Sequence, residues 1–171
     1  ALADLGIAPT FSIEDATPLA GQVDIYWPRA IGECFGVHDW PFCRRTYRLS
    51  RHAEAPDTGY AYSFELPRPR LGEPVKNLSD PRSETPLRSF RIEGNAIHAD
   101  EPAAWSVVKV PVDPSDWDWQ WASAFATVLA SMLAVALTQD EGTAAKKWGE
   151  AFGDPREGQT GGRFGRLIAQ H

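Results

Sequence analysis

Residues Trp119 to Thr138 (WQWASAFATVLASMLAVALT) are twenty consecutive positions without a charge. A run of that length can cross a bilayer, so its nature constrains everything else the chain can be. Gln120, Ser123, Thr127 and Ser131 recur at spacings of three and four and line one face of a helix. Phe125, Val128, Leu129, Met132 and Val135 recur on the other side, the spacing of a core-facing stripe. A third face is mostly alanine (Ala122, Ala126, Ala130), where a second backbone can approach closely. A membrane span would carry more Leu, Ile and Phe, and basic residues on one flank. The flanks here are Asp116, Asp118, Asp140 and Glu141, acidic at both ends. The run therefore reads as a bundle helix buried on more than one side, with no membrane contact expected. Trp119, Trp121, Ala122, Phe125, Ala126, Leu129 and Met132 are its expected core or subunit-interface residues. Ser115 followed by Asp118 predicts a capping box at its start, after Pro114, and the stop is expected near Gln139 to Gly142. About 23 residues of helix span roughly 35 Å, the length of a small domain.

Around that helix the chain reads as a mainly α fold with a β insertion: a four-helix bundle-like core plus a small antiparallel β subdomain. Residues 1–16 are an irregular arm. Thr17-Pro18 opens a helix through about Phe35, with Leu19, Val23, Tyr26, Trp27, Ala30, Ile31 and Cys34 as its apolar face, Ile25 off that face, and Pro28 inside it. Asp39-Trp40-Pro41 is expected to start a second helix through about Ser50, presenting Arg44, Arg48 and Arg51 as a basic face. Residues 17–55 and 113–153 would thus form the bundle, with 56–112 as the insertion. Within it, Tyr60 to Leu66 alternates as a strand, 71–86 reads as a long loop with at most a short strand at Val75 to Leu78, and Arg88 to His98 reads as a hairpin turning at Glu93-Gly94-Asn95. Trp105 to Val112 is a further strand, which Pro111 places near an edge. A short helix follows over Thr143 to Phe152, and 154–171 reads as a basic C-terminal arm.

The chemistry-bearing residues do not assemble into a catalytic pattern. His38, His52, His98 and His171 are scattered, and no metal-protease, phosphate-loop or nucleophile-elbow motif occurs. Gly161-Gly162-Arg163-Phe164-Gly165 is no phosphate loop, since no strand precedes it. Cys34 and Cys43 have neither a disulfide framework nor zinc spacing and read as buried small hydrophobes. No enzyme activity, cofactor or metal is expected. A net charge of −6 disfavours a general nucleic-acid binder. The first nine residues have no basic region or sustained apolar run, so no secretory leader is expected. Seven tryptophans in 171 residues suit cores and interfaces alike.

Read in order, these segments resemble the phage tail tubular protein A family, the head-to-tail adaptors or gatekeepers of tailed phages and gene-transfer particles. Trp40-Pro41-Phe42-Cys43-Arg44 is similar to the family's early Trp-x-Phe-small motif. Tyr60 to Pro67 (YAYSFELP) is similar to its aromatic strand ending in Leu-Pro, and Phe90 to Asp100 to its Glu-Gly hairpin. Val107 to Val112, Asp113-Pro114-Ser115 and Trp119 to Leu137 resemble its valine-rich strand and Asp-Pro-Ser entry to a long alanine-rich helix, which closes on Leu137-Thr138. The likeness spans roughly residues 19 to 152. It departs where the family continues Leu-Pro with an aspartate, for here Arg68-Pro69-Arg70 follows, and the stretch after Gly153 has no counterpart.

The resemblance implies a ring of twelve subunits under the portal protein at the head-tail junction of a virion. DNA would pass through the ring without specific binding, and a tail or stopper protein would dock below. On this reading Arg156, Arg163, Phe164, Arg166, Leu167 and Ile168 form a portal-docking arm. The competing reading is a DNA-binding regulatory protein that uses the Arg44/Arg48/Arg51 helix as its recognition element.

Overall fold

The computed structural model describes residues 1–7, 17–154 and 161–170. The chain divides into two compact units, one built from 1–38 with 113–171 and the other from 39–112. Helices make up 43% of the chain and strands 20%, so the fold is mixed α/β and not mainly α.

In the helical unit, α1 runs Pro18–Gly36. Thr17 caps it by accepting from the Ala20 amide at 3.2 Å, with proline at the first helical position where no amide partner is needed. The long apolar run becomes α2, Trp119–Thr138. Its cap is Asp118 and not Ser115: the Asp118 carboxylate accepts from the amides of Gln120 and Trp121 at 2.9 and 3.1 Å. Ser115 belongs to a separate single turn, Pro114–Asp116, capped by Asp113. Gln139 ends α2 in the left-handed conformation, and Asp140 then caps α3, Glu141–Phe152, through Thr143.

Helix α2 touches α1, α3 and the N-terminal turn at Ala3–Leu5, as well as a fourth helix, α4, Gly162–Ile168. It is long and apolar enough to cross a bilayer, yet 56% of its most apolar stretch is buried inside the protein. The sequence explains how so many neighbours fit. Ala124, Ala130 and Ala134 are wholly buried and leave room for the rings of Trp121 and Phe125. Those rings sit in an aromatic cluster with Trp27, Phe35 and Trp117, with centroids 4.5–5.8 Å apart for the closest pairs. Offset and edge-on pairs of this kind each contribute about 1 kcal/mol beyond simple burial. Thr127 and Ser131 of the expected polar face are buried, with the Thr127 hydroxyl donating to the Ser123 carbonyl at 3.0 Å, whereas Val135 of the expected core stripe is exposed. In α1, Ile25 is exposed, in keeping with its place off the apolar face.

The β unit holds two four-stranded antiparallel sheets. Its strands are β1 Arg44–Arg48, β2 Ser50–Arg51, β3 Tyr62–Glu65, β4 Lys76–Asp80, β5 Thr85–Pro86, β6 Phe90–Glu93, β7 Ala96–Ala99 and β8 Trp105–Lys109. One sheet has the order β1-β8-β4-β5 and the other β2-β3-β7-β6. Alternation in β3 puts Tyr62 and Phe64 on the face that packs with Leu49, Leu66, Leu87, Ile97 and Ala99. The β6–β7 hairpin turns at Gly94-Asn95 as expected, with φ of 58° at Gly94, a backbone position suited to glycine.

Several expectations fail here for one reason: strand pairing outweighs local preference. The helix expected over 39–50 is a single turn at Pro41–Cys43 followed by β1, because β8 pairs with it from Arg44↔Lys109 to Arg48↔Trp105. The stretch 71–86 goes further than the short strand allowed at Val75 to Leu78: that strand is β4, which runs on to Asp80 and lies inside its sheet, and the stretch also supplies β5. Pro111 does not mark an edge. Strand β8 ends at Lys109, before the proline, and is flanked by β1 and β4.

Candidate functional site

The residue that stands out in the helical unit is Trp119. It is 74% exposed at the start of α2, while Trp121, two positions on, is 1% exposed. Trp119 was expected in a core or interface, and the unit's own core does not take it. Beside it lies a cleft of about 300 Å³ lined by Trp119, Gln120, Ser123, Arg163, Arg166, Leu167 and Gln170.

The arginines come from α4, and a glycine crossing fixes where α4 lies. Gly153 (φ 87°) ends α3 and Gly162 (φ 71°) begins α4. A Cβ at Gly162 would stand 2.5 Å from the Gly153 nitrogen and 2.6 Å from the Ala151 carbonyl oxygen, and one at Gly153 would stand 2.7 Å from the Gly161 Cα. Backbone meets backbone there, so only glycine fits at either place. The glycine-rich stretch is thus a packing device. It lets Phe164 stack on Phe152 at 5.2 Å and meet Trp121 edge-on at 6.1 Å.

That packing corrects the reading of 154–171 as an arm. Phe164 and Leu167 are buried and Ile168 half-buried, so the apolar residues assigned to portal docking are spent largely on the unit's own core. What α4 displays is charge. Arg163 donates to the Ser123 hydroxyl at 2.6 Å, and Arg166 lies exposed. Among the described residues neither guanidinium has a carboxylate partner within ion-pair distance. Arg156 lies outside the described residues. Two residue sets that the sequence kept apart, an interface tryptophan and a docking segment, therefore line one cleft. The rest of the α2 set divides: Trp121, Phe125 and Leu129 are buried, whereas Ala122, Ala126 and Met132 are half-buried.

The expected basic face does not exist as one surface. Arg44 and Arg48 are on β1 of one sheet and Arg51 on β2 of the other. Each is engaged locally. Arg44 makes a 2.7 Å ion pair with Asp39 and also donates to the Asp39 carbonyl at 2.9 Å. Arg48 lies over the Trp105 ring at 5.8 Å, and Arg51 over Tyr62 at 4.1 Å. The DNA-recognition helix they were to form is absent, and the regulatory reading loses its element.

The groups that could carry covalent chemistry are held quiet. Burial, followed by the neighbouring Glu33 charge, pushes the Cys34 thiol far up. Burial likewise raises Cys43, whose thiol donates to the Trp40 carbonyl at 3.2 Å. His98 is buried on β7 with Nδ1 2.9 Å from the Thr58 hydroxyl. Among the described residues no three His, Cys, Asp or Glu side chains gather where a metal ion could be held. In comparisons with known proteins, no family model and no curated sequence matches the chain.

Proposed function

We propose that the protein is a structural head-to-tail connector of a tailed phage or a phage-like gene-transfer particle. It would form a ring, of twelve copies by the family's pattern, beneath the portal, pass DNA through the ring and hold a tail or stopper protein. The observation that carries a docking role is the Trp119 cleft: a large exposed ring beside two arginines that have no carboxylate partner among the described residues. Aromatic and arginine side chains of this kind dominate protein–protein binding energy. The proposal reads the helical unit as a four-helix bundle-like core and 39–112 as the inserted subdomain, and its family assignment comes from the ordered motifs of the sequence. Heterologous contacts, in which one patch meets a different patch, close into rings when the rotation allows. A net acidic chain, at −6, suits a conduit, since like charge keeps it from gripping phosphate. No catalytic step is proposed.

The test is assembly. Native mass spectrometry and negative-stain imaging of the purified chain, alone and with the portal protein of its particle, should show a ring of about a dozen copies. Arg166→Glu should weaken attachment to the portal at least tenfold while leaving helical content unchanged, because the side chain is exposed. A stable monomer that binds no portal would sink the connector reading, and unaltered attachment of the variant would remove the cleft from it.

A further inference from the structure

The β unit is nearly neutral. By count from the sequence, residues 39–112 hold eleven Lys and Arg against ten Asp and Glu, and the remainder holds six against thirteen. One cleft in that unit nonetheless gathers acceptors. It has a volume of about 460 Å³ and is lined by His52, Glu54, Asp57, Ser63, Glu93 and His98 among others.

Sheet register builds it. Strand β2 pairs with β3 at Ser50↔Glu65 and Arg51↔Phe64, and the next step brings His52 opposite Ser63, where the His52 amide donates to the Ser63 carbonyl at 2.8 Å. Ser63 stands opposite His98 on β7. His52, Ser63 and His98 therefore form one row across three strands, on the face turned away from Phe64 and Ile97. An outward row is normally wet, yet Ser63 is only 7% exposed and His98 only 8%. The segment between β2 and β3 comes over them, and its Thr58 hydroxyl lies 2.9 Å from His98 Nδ1.

The two buried side chains keep unmet groups. Among the described residues neither the Ser63 hydroxyl nor His98 Nε2 has a hydrogen-bond partner. Neither atom is sealed from solvent, and both residues line the cleft, so an occupant of the cleft can reach them. Burying a polar group and leaving it unmet is unfavourable, so such groups mark a place where something else meets them. Glu54 and Asp57 in the same cleft are exposed and have no ion pair or hydrogen bond among the described residues. Glu93 is paired with Arg91 at 2.8 Å, so those two charges cancel and the other two carboxylates remain.

We propose that this cleft binds an alkylguanidinium group, the end of an arginine side chain. What it offers is acceptors: two carboxylates, the Ser63 hydroxyl oxygen and an imidazole nitrogen. They do not converge on a point, since among the described residues no three His, Cys, Asp or Glu side chains gather where a metal ion could be held. A guanidinium spreads five N–H donors over a plane and so reaches acceptors that a single ion cannot. Donation to His98 Nε2 selects the tautomer whose Nδ1–H donates to the Thr58 hydroxyl oxygen, which makes Thr58 a positioning residue. The assignment does not rest on the connector reading.

The experiment is a titration of the full chain, isotope-labelled at its histidine rings, with ethylguanidinium and with the peptide acetyl-Gly-Arg-Gly-amide, followed by NMR. The His52 and His98 signals should move saturably, with a Kd on the order of 1 mM, while that of His38 stays put. Tetramethylammonium, which carries the charge but no N–H, should move neither. Asp57→Asn and Glu54→Gln, both exposed positions, should each weaken binding about two- to fivefold with circular dichroism unchanged. Thr58→Val should weaken it about fivefold and, by imidazole nitrogen shift, release His98 from the single tautomer. Tighter binding of the peptide assigns the site to an arginine of a partner protein, and equal affinities assign it to a free guanidine solute. Signals unmoved up to about 20 mM ligand, tetramethylammonium acting as well as ethylguanidinium, or affinities unchanged in Asp57→Asn and Glu54→Gln would overturn the proposal. So would Zn²⁺ that displaces ethylguanidinium through both histidines, which would make the cleft a metal site.

Discussion

The helical unit and the β unit hold themselves together by different means. The helical unit packs aromatic rings against alanines, and five of the seven tryptophans belong to it. Its core is a few large, mutually stacked groups around α2. The β unit buries one tryptophan, Trp40, and otherwise smaller side chains, with Leu49, Leu66, Leu87, Ile97, Ala99 and Ala104 clustered around Phe64, the one fully buried ring of that cluster. Its remaining specificity comes from strand register. The charge follows the same division, with acid concentrated in the helical unit and the two signs nearly balanced in the β unit. A unit that builds on rings has aromatic surface to spare at its edge, as at Trp119. A unit that builds on register can accept arginine at almost any outward position, because alternation and not composition keeps its core dry.

Core truncation should separate the two most strongly. Trp121→Ala empties the centre of the stacked cluster and should cost about 4 kcal/mol, while Ile97→Ala in the β unit should cost about 3 kcal/mol. Urea denaturation followed by both tryptophan fluorescence and far-ultraviolet circular dichroism measures each. Equal, small losses would break the contrast between a ring-built and a register-built core. Next comes the glycine crossing. Gly162→Ala forces a side chain into the Gly153 and Ala151 backbone at positive φ and should cost about 2 kcal/mol. Because it dislodges α4, it should also expose Phe164 to quenchers and dismantle the Trp119 cleft. Gly149→Ala, where an added Cβ meets nothing within 4 Å, is the matched control and should be neutral or slightly stabilising.

The smallest effect is in pH. Asp113 and Asp140 cap their turns and are held below the usual carboxylate range by the hydroxyls and amides of Ser115 and Thr143, and Asp80 in the β unit by the Arg82 amide and the Ser83 hydroxyl. A carboxylate depressed in the folded state adds stability that is present above its unfolded value near pH 4 and lost as pH falls through the folded value. Thermal scans should therefore be flat with respect to these groups from pH 5 to 7 and fall below about pH 4. Asp140→Asn, which keeps a capping oxygen but no titrating group, should flatten that acid limb. An unchanged limb would show that other carboxylates set it.

Much of the helical unit was legible in the sequence because its signals are local. Thr17-Pro18 fixes the start of α1, and the uncharged run fixes α2 almost to the residue. Asp118 was visible as part of a capping box but in the wrong role, since a serine three residues earlier offered the same chemistry. In the β unit the hairpin at Gly94-Asn95 was legible, as were the alternating strand at Tyr60 to Leu66, which is β3, and the valine-rich strand from Trp105, which is β8. Arg44 to Arg48 could not be read as a strand, because its partner β8 lies some sixty residues on. The candidate cleft was half legible: Trp119 and the α4 arginines were each singled out, but nothing in their spacing says that they meet.

By itself, then, the sequence determined the elements whose bonds are made within a few residues: the capped helices, the hairpin, and a long apolar segment flanked by acid that must be covered on several sides. Tertiary structure alone decided what covers that segment, which side of α4 is spent on the core, and where the arginines go. Those outcomes depend on groups distant in the chain competing for the same space. Burial and strand pairing settle that competition, and a local spacing rule does not contain either one.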